Sequence, residues 1–455
     1  MQKFLYFACL LFFASSCKVQ QSGRKGSTIN QPSKVQPFNT IEQQAKSIIL
    51  DKPELLPAHV GISLFDPSTG KYLYNYQSEK YFIPASNTKI FTCYAAMKNL
   101  GDSIVAFEYL PDEDNIALRF TGDPSFLHPD FEEQRAYDFL KANAPKITVV
   151  APRYNATAFG NGWAWNDYDA DYSPERSPMP IYGNLVYFGK KGNRITVTPK
   201  AFKDSLVIFS STEDGRYTIA REKDQNSFTV VKSNRLFNGT AIPFTVKKEM
   251  DQLMIPLLED TLNRVLNYAN AVVVAIDQPN WKKFYSQPTD SLLKIMMHRS
   301  DNFFAEQTLL MVGNAKIGTM DDAKIIDTLL KSDMMGMPHK PRWVDGSGLS
   351  RYNMMTPQDF IWVLNKMKKE QPWERIKTIF PTGDAGTLGG LYKGYENKIF
   401  AKTGTLTGHV ALSGFIITNQ GKELIFSIMV NAHQSAAGTI RKYMEQFLTT
   451  VMNEN

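Results

Sequence analysis

Cysteine is scarce in this 455-residue sequence, which contains only three. Cys9 lies in the first apolar run, Cys17 follows that run closely, and Cys93 alone belongs to the body of the chain. If Cys17 is blocked by modification, the mature chain cannot form an internal disulfide, which excludes a small disulfide-stapled scaffold. Cys93 falls in an apolar helical stretch and is predicted to be a small core residue.

Two further kinds of residue pattern are missing. No run of five or more Lys and Arg residues occurs, and the net charge is only +6, so we predict no nucleic-acid partner. The six histidines are scattered from His59 to His433 and no HExxH motif is present, which argues against a zinc peptidase. We therefore expect neither a metal nor another cofactor.

A long hydrophobic run is also absent. Phe4 to Phe13 is too short to span a bilayer, but Lys3 before it and small residues after it predict an export signal over residues 1–17. A cysteine at this place is typical of a bacterial lipoprotein, in which Cys17 would be acylated and would anchor the chain to a membrane facing the periplasm. An ordinary signal peptide is the alternative. Residues 18–38 are rich in Gln, Ser, Lys and Pro and are predicted to form a disordered tether.

The remaining chain has the composition of a folded protein, with 43% apolar and 21% charged residues. Residues 39–101 predict a β-hairpin followed by a helix that begins near Asn87 and ends before Gly101. Short strand-like runs with many turn residues predict a mostly β insertion over residues 102–281. Helices and strands alternate over residues 282–455, so we expect two parts of one domain with a large insert between them.

Three short motifs occur in order after the tether. They are Ser86-Asn87-Thr88-Lys89, Ser300-Asp301-Asn302 and Lys402-Thr403-Gly404. Each is weak alone. Their order, their placement and their flanking residues together indicate a serine nucleophile with a lysine base.

The first motif places Ser86 at the start of a helix with Lys89 on the same face. Lys89 can then accept the proton of the Ser86 hydroxyl, provided that its pKa is lowered by burial and by a second cation, for which Lys402 is the candidate. The N–H groups at the helix start can bind the oxyanion of a tetrahedral intermediate.

The other two motifs supply the remaining groups. Ser300 is placed to shuttle a proton and Asn302 to donate to a substrate amide. Lys402, with the hydroxyls of Thr403 and Thr405, can hold a terminal carboxylate on a strand that pairs with an extended peptide. Gly404 is expected to let the substrate approach closely.

With these motifs the chain resembles the class C low-molecular-mass penicillin-binding proteins, the DacB-like D-Ala-D-Ala carboxypeptidases and endopeptidases. The resemblance extends over nearly all residues after the tether. It includes the stretches Thr121–Ser125, Asp301–Glu306, Asp345–Asn353 and Ala401–Leu406.

The resemblance implies an α+β transpeptidase fold, an antiparallel sheet flanked by helices, and an oxyanion hole from the N–H groups of Ser86 and Thr405. It implies a serine enzyme that acts on peptidoglycan stem peptides and is acylated by β-lactam antibiotics. A β-lactamase or esterase on the same fold, and a non-catalytic wall-binding lipoprotein, are the alternatives. A β-lactamase needs a positioned carboxylate for deacylation, and none is identifiable, since Glu175 lies in the insert.

The insert is expected to shield the cleft and to shape the approach of long substrates, while the chemistry survives its loss in principle. Its aromatic residues either line that approach or, as we favour, pack in the core. They are Trp163, Trp165, Tyr168 and Tyr172.

Overall fold

The computed structural model describes residues 40–143, 146–192, 194–210, 216–233, 236–246, 252–269 and 280–454. The predicted signal over residues 1–17, Cys17 and the predicted tether over residues 18–38 lie outside the described residues. No helix in the described part of the chain is long and apolar enough to cross a membrane.

The strands fall into one central sheet and three sheets of the insert. In chain order they are β1 His59–Asp66, β2 Lys71–Tyr76, β3 Ser103–Pro111, β4 Asn115–Phe120, β5 Lys146–Val150, β6 Leu185–Lys191, β7 Arg194–Thr198, β8 Leu206–Ser210, β9 Thr218–Arg221, β10 Phe228–Lys232, β11 Thr240–Pro243, β12 Asn267–Ala269, β13 Lys282–Pro288, β14 Ile399–Leu406, β15 His409–Ile417 and β16 Glu423–Asn431.

The helices belong mainly to the two outer parts of the chain. They are α1 Ile41–Ala45, α2 Lys89–Asn99, α3 Arg135–Ala142, α4 Met254–Leu262, α5 Thr289–His298, α6 Asn302–Ile317, α7 Asp322–Lys331, α8 Pro357–Glu370, α9 Trp373–Ile379 and α10 Ala437–Glu454. A π-helical turn, Lys46–Leu50, continues α1, and a 3₁₀ turn, Ala85–Thr88, leads directly into α2.

The central sheet has the strand order β14-β15-β16-β1-β2, and every neighbouring pair is antiparallel. Alternate residues of β16 point to opposite faces, as strand geometry requires. Phe426 and Ile428 pack in the core shared with α10, whereas Ile425 and Met429 join the core formed with α2, α6 and α8. Because both faces are buried, the central strands are apolar nearly throughout. The expected α+β fold, an antiparallel sheet flanked by helices, is confirmed.

The insert has a hydrophobic core of its own. It contains a five-stranded sheet, β12-β5-β4-β3-β13, and two three-stranded sheets, β8-β10-β9 and β11-β6-β7. Strand β13 pairs with β3 along the edge of the larger sheet. The expected boundary after residue 281 therefore falls just before a strand that hydrogen-bonds to the insert's first strand.

Local predictions near Ser86 agree with the structure. β1 and β2 form the expected antiparallel hairpin. α2 ends at Leu100 as its C-cap, and Gly101 follows with a φ of 71°, the left-handed conformation that favours glycine after a helix. The buried thiol of Cys93 lies inside this helix, as expected.

Candidate active site

The first motif forms a short connection between the hairpin and the helix α2. Ser86 lies in the 3₁₀ turn and is half-buried, and Lys89 begins α2 and is fully buried. The Nζ atom of Lys89 is 3.0 Å from the Oγ atom of Ser86. This is the contact that a lysine base needs in order to take the hydroxyl proton.

Two other oxygen atoms surround the amino group of Lys89. Its Nζ donates to Oδ1 of Asn302 at 2.6 Å and to the main-chain carbonyl of Ser347 at 2.8 Å. These two atoms can only accept hydrogen bonds, whereas the Ser86 hydroxyl can also donate one. A neutral amine has two N–H groups and one lone pair. In that form its lone pair is left facing the Ser86 hydroxyl.

Burial is the main reason why Lys89 can become neutral. It lowers the pKa of Lys89 to about 8, although the carboxylates of Asp301, Asp345 and Glu306 oppose the shift. The sequence predicts that burial and the cation of Lys402 lower this pKa together; desolvation is the largest cause, and Lys402 is not among the others.

Ser300 lies in the loop before α6 and connects the second motif to the third. Its φ of 62° is left-handed, and the following Asp301 caps α6 by accepting from the N–H of Phe304 at 2.8 Å. Nζ of Lys402 donates to Oγ of Ser300 at 2.8 Å and to the carbonyl of Thr403 at 2.8 Å. Lys402 is fully buried, which lowers its pKa well below the usual value.

Strand β14 is an edge strand of the central sheet and carries the third motif. A Cβ atom on Gly404 would lie 2.5 Å from the carbonyl oxygen of Pro84 and 3.0 Å from the amide nitrogen of Asn87. The absence of a side chain therefore lets β14 pack against the turn that holds Ser86. We expected Gly404 to make room for the substrate, but the close approach is between two parts of the chain itself.

The loop after α7 is held by one buried carboxylate. Asp345 accepts from the N–H groups of Gly348 at 2.9 Å and Ser350 at 2.6 Å, and from Nδ2 of Asn353 at 2.7 Å. Gly348 has a φ of 87°, and a Cβ there would lie 1.9 Å from the carbonyl oxygen of Ala85. These contacts pack the loop against the 3₁₀ turn and bring the Ser347 carbonyl within hydrogen-bond distance of Lys89.

A cleft of about 570 Å³ opens above these groups. It contains residues of the first two motifs, Thr405 directly after the third motif, and several residues of the insert. Its lining comprises Ser86, Trp163, Ala164, Asn166, Asp167, Tyr172, Ser173, Ser300, Asn302, Gly348, Leu349, Arg351, Thr405, Leu406 and Thr407.

Aromatic residues of the insert contribute to the wall of this cleft. Trp165 is 75% exposed and Tyr172 is 48% exposed, so the interpretation of these rings as buried core is wrong. Tyr172 and Trp163 line the cleft, whereas Tyr168 donates to the carbonyl of Arg221 at 3.2 Å within the insert.

The insert also contacts the groups around Lys89. The carbonyl of Tyr172 accepts from Nδ2 of Asn302 at 2.9 Å, which turns Oδ1 of that amide toward Lys89. Nε1 of Trp163 donates to Oδ2 of Asp345 at 2.9 Å. The expectation that the chemistry survives loss of the insert does not fit these contacts.

A buried ion pair makes a third connection with the insert. Arg176 and Glu306 are both fully buried, and Nη1 of Arg176 is 3.2 Å from Oε2 of Glu306. The other carboxylate oxygen of Glu306 accepts from the N–H of Ser347 at 2.7 Å. Burial raises the pKa of Glu306 to about 7, and Arg176 opposes that shift. Arg176 thus stabilises the carboxylate that holds the Ser347 peptide group, whose carbonyl accepts from Lys89.

The comparisons with known proteins agree with this geometry. A family model described as the D-Ala-D-Ala carboxypeptidase 3 (S13) family matches residues 41–451. The chain belongs to that family.

Two curated relatives are similar to this S13 member over most of their length. The D-alanyl-D-alanine carboxypeptidase DacB of Haemophilus influenzae is 23% identical over 453 residues, which cover 89% of this chain and 93% of that protein. The D-alanyl-D-alanine carboxypeptidase of an Actinomadura species is 26% identical, with 86% and 80% covered. The crystal structure of penicillin binding protein 4 (dacB) from Haemophilus influenzae superposes with a TM-score of 0.69 at 21% identity, covering 91% of this chain and 98% of that one.

The pKa of Lys89 leads to a prediction for the pH dependence of this S13 protein. The neutral amine is the form that accepts a proton, and its fraction grows as pH rises through about 8. The second-order rate of acylation by a fluorescent penicillin should therefore rise up to about pH 8 and level off above it. Stopped-flow measurements across this range test the idea, and a rate independent of pH would mean that Lys89 is not the titrating base.

Because Arg176 is buried against Glu306, Arg176→Met should change the melting temperature and the rate of acylation more than loss of an exposed arginine would. Removing one partner of a buried ion pair costs about 3–5 kcal/mol, and the unpaired Glu306 would release the Ser347 peptide group. We expect a lower melting temperature and slower acylation by penicillin. Arg194→Met, which changes an exposed arginine of the insert, should change neither.

A second substitution separates loss of fold from loss of positioning. Adding Glu306→Gln to Arg176→Met removes the fully buried uncompensated charge and keeps an acceptor for the N–H of Ser347, so it should restore part of both properties. The other carboxylate paired with Arg176, Asp322 at 2.6 Å, is partly exposed and can be solvated. Normal acylation by a stably folded Arg176→Met protein would show that the insert does not position the base.

Proposed function

We propose that the chain is a serine D-alanyl-D-alanine carboxypeptidase and endopeptidase that acts on peptidoglycan stem peptides through an acyl-enzyme on Ser86. The observation that carries this proposal is the buried Lys89 amino group 3.0 Å from the Ser86 hydroxyl. Membership in the S13 family and the names of the curated relatives support the substrate class.

The acylation step follows from the hydrogen bonds around Lys89. The neutral amine takes the Ser86 proton while Oγ attacks the carbonyl carbon of the penultimate D-alanine. The N–H groups of Ser86 and Thr405, two residues of the cleft, would bind the oxyanion. The C–N bond then breaks, and the proton that Lys89 took from Ser86 would pass to the leaving amine through the hydroxyl of Ser300, which is hydrogen-bonded to Lys402. Lys89 is then neutral again.

Deacylation returns the enzyme to its first state. Water attacks the ester carbonyl and gives a proton to the neutral Lys89, and Lys89 returns that proton to Oγ of Ser86 as the shortened peptide leaves. Asn302 would hold the substrate amide with the Nδ2 hydrogen that Tyr172 does not use. Thr403 and Thr405 would hold the terminal carboxylate, and β14 would pair with the extended peptide as an edge strand.

β-Lactam antibiotics are proposed to acylate the same serine. A second Haemophilus influenzae structure, of penicillin binding protein 4 complexed with a novel β-lactam, superposes with a TM-score of 0.64. The β-lactamase alternative lacks support from Glu175, because that residue is fully buried and accepts from the N–H of Val246 at 2.7 Å.

The nucleophile is tested by covalent labelling. A fluorescent penicillin should label the wild type and not Ser86→Ala, since no other serine of the described chain contacts Lys89 through its side chain. Lys89→Ala should fold but acylate several orders of magnitude more slowly, because an unactivated hydroxyl is a poor nucleophile.

Three results would contradict parts of this assignment. Label on Ser86→Ala would remove Ser86 as the nucleophile, and rapid turnover of penicillin without a lasting adduct would favour a β-lactamase. A wild type that neither binds label nor releases D-alanine from stem peptides would favour a non-catalytic wall protein.

Export and anchoring form a separate proposal that rests on the sequence before residue 39. The signal before Cys17 would be removed and Cys17 would be acylated, so that the tether connects the membrane anchor to the domain in the periplasm. We expect Cys17→Ser to move the protein from the membrane fraction to the soluble fraction or to leave its signal uncleaved, as fractionation and mass spectrometry would show. Unchanged membrane association after clean cleavage would support an anchor other than lipid on Cys17.

A further inference from the structure

Arg441 is a cation beside the cleft that has no acidic partner in the described part of the chain. It lies on α10, and its Nη2 atom donates to Oγ1 of Thr405 at 2.5 Å. Its Nε atom is buried and has no hydrogen-bond partner among the described residues. Burial lowers the pKa of Arg441, and no charged group offsets that effect. An unpaired, half-buried guanidinium is costly, so its presence calls for an explanation.

The contact between Arg441 and Thr405 determines the direction of a second hydrogen bond. A guanidinium has only donors, so the Thr405 oxygen must accept from it. The hydroxyl proton of Thr405 is then left to donate elsewhere. Thr405 is exposed and lines the cleft together with Ser86, so that donor is available to a ligand oxygen in the cleft.

Lys402 does not supply the same charge to the cleft. Its Nζ is fully buried, is not part of the cleft lining, and donates to Ser300 and to the Thr403 carbonyl. Burial also lowers its pKa well below the usual value. Arg441 is therefore the side chain that places a permanent positive charge against the hydroxyl of Thr405.

We propose that Arg441 is a positioning residue that makes this enzyme select substrates with a free carboxylate on the leaving residue. It does so by holding Thr405 as a hydrogen-bond donor toward that carboxylate and by placing a positive charge behind it. This inference rests on the proposed peptidase function and deepens it.

The test compares two peptides that differ only in the charge in question. One ends in D-alanyl-D-alanine with a free carboxylate, and the other carries the same sequence with a C-terminal amide. Release of D-alanine or of D-alaninamide gives kcat/KM for each. Arg441→Gln should lower kcat/KM for the free acid about ten- to a hundredfold, mainly through KM, and should leave the amide nearly unchanged.

Three further variants make the result specific. Arg441→Lys keeps the charge and a donor and should retain part of the preference for the free acid. Lys442→Gln removes the charge of an exposed neighbour on the same helix and should have no effect. Arg441→Gln added to Thr405→Val should cause little further loss, because both changes remove the same donor.

The possible outcomes separate the two proposals. A wild type that cleaves neither peptide would contradict the proposed function. An equal loss on both peptides for Arg441→Gln, with an unchanged melting temperature, would overturn the role of Arg441. A selective loss for Arg351→Gln in place of Arg441→Gln would also overturn it, because Arg351 is the cation that lines the cleft directly. If Arg441→Gln does not fold, Thr405→Val alone must show the selective loss, and an unchanged preference would refute the proposal.

Discussion

Burial of one amino group, that of Lys89, is the constraint on which the rest of this site depends. Moving an ammonium ion out of water is energetically unfavourable. Burial therefore lowers the pKa of Lys89, and three oxygen atoms form hydrogen bonds with its Nζ atom. Two of the three can only accept. The lone pair of the neutral amine is thereby directed at Ser86, so the contacts that make burial of Lys89 tolerable also orient it toward that hydroxyl.

Each of those oxygen atoms comes from a different part of the chain. Ser86 belongs to the turn before α2, Asn302 begins α6, and Ser347 lies in the loop that Asp345 holds. None of the three segments reaches the site without long-range packing. Gly404 and Gly348 permit this packing, because a side chain at either position would collide with the backbone near Ser86. The cleft is therefore a property of the whole folded domain.

The sequence predicts the parts of this arrangement that depend on local geometry. Residues at i and i+3 of a helical turn face the same way, so the pairing of Ser86 with Lys89 follows from spacing alone. The first hairpin follows in the same way from the strand patterns on both sides of a turn, and the end of α2 follows from Gly101. Arg176 could not be predicted, because it lies in an irregular stretch and meets Glu306 only after the insert has folded back. The packing of Gly404 against the turn around Ser86 could not be predicted for the same reason, since its neighbour is a distant part of the chain.

The charge of a bound substrate carboxylate would affect the pKa values of the buried lysines. A carboxylate that binds near Thr405 brings a negative charge toward the buried lysines, and a nearby negative charge raises the pKa of an amine. Substrate binding would then favour the protonated, inactive form of Lys89, just as Asp301, Asp345 and Glu306 already do. A guanidinium that stays charged can offset the incoming carboxylate without titrating itself. Arg441 also lowers the pKa of Lys402, so its charge acts against the rise in the pKa of that lysine that a bound carboxylate would cause.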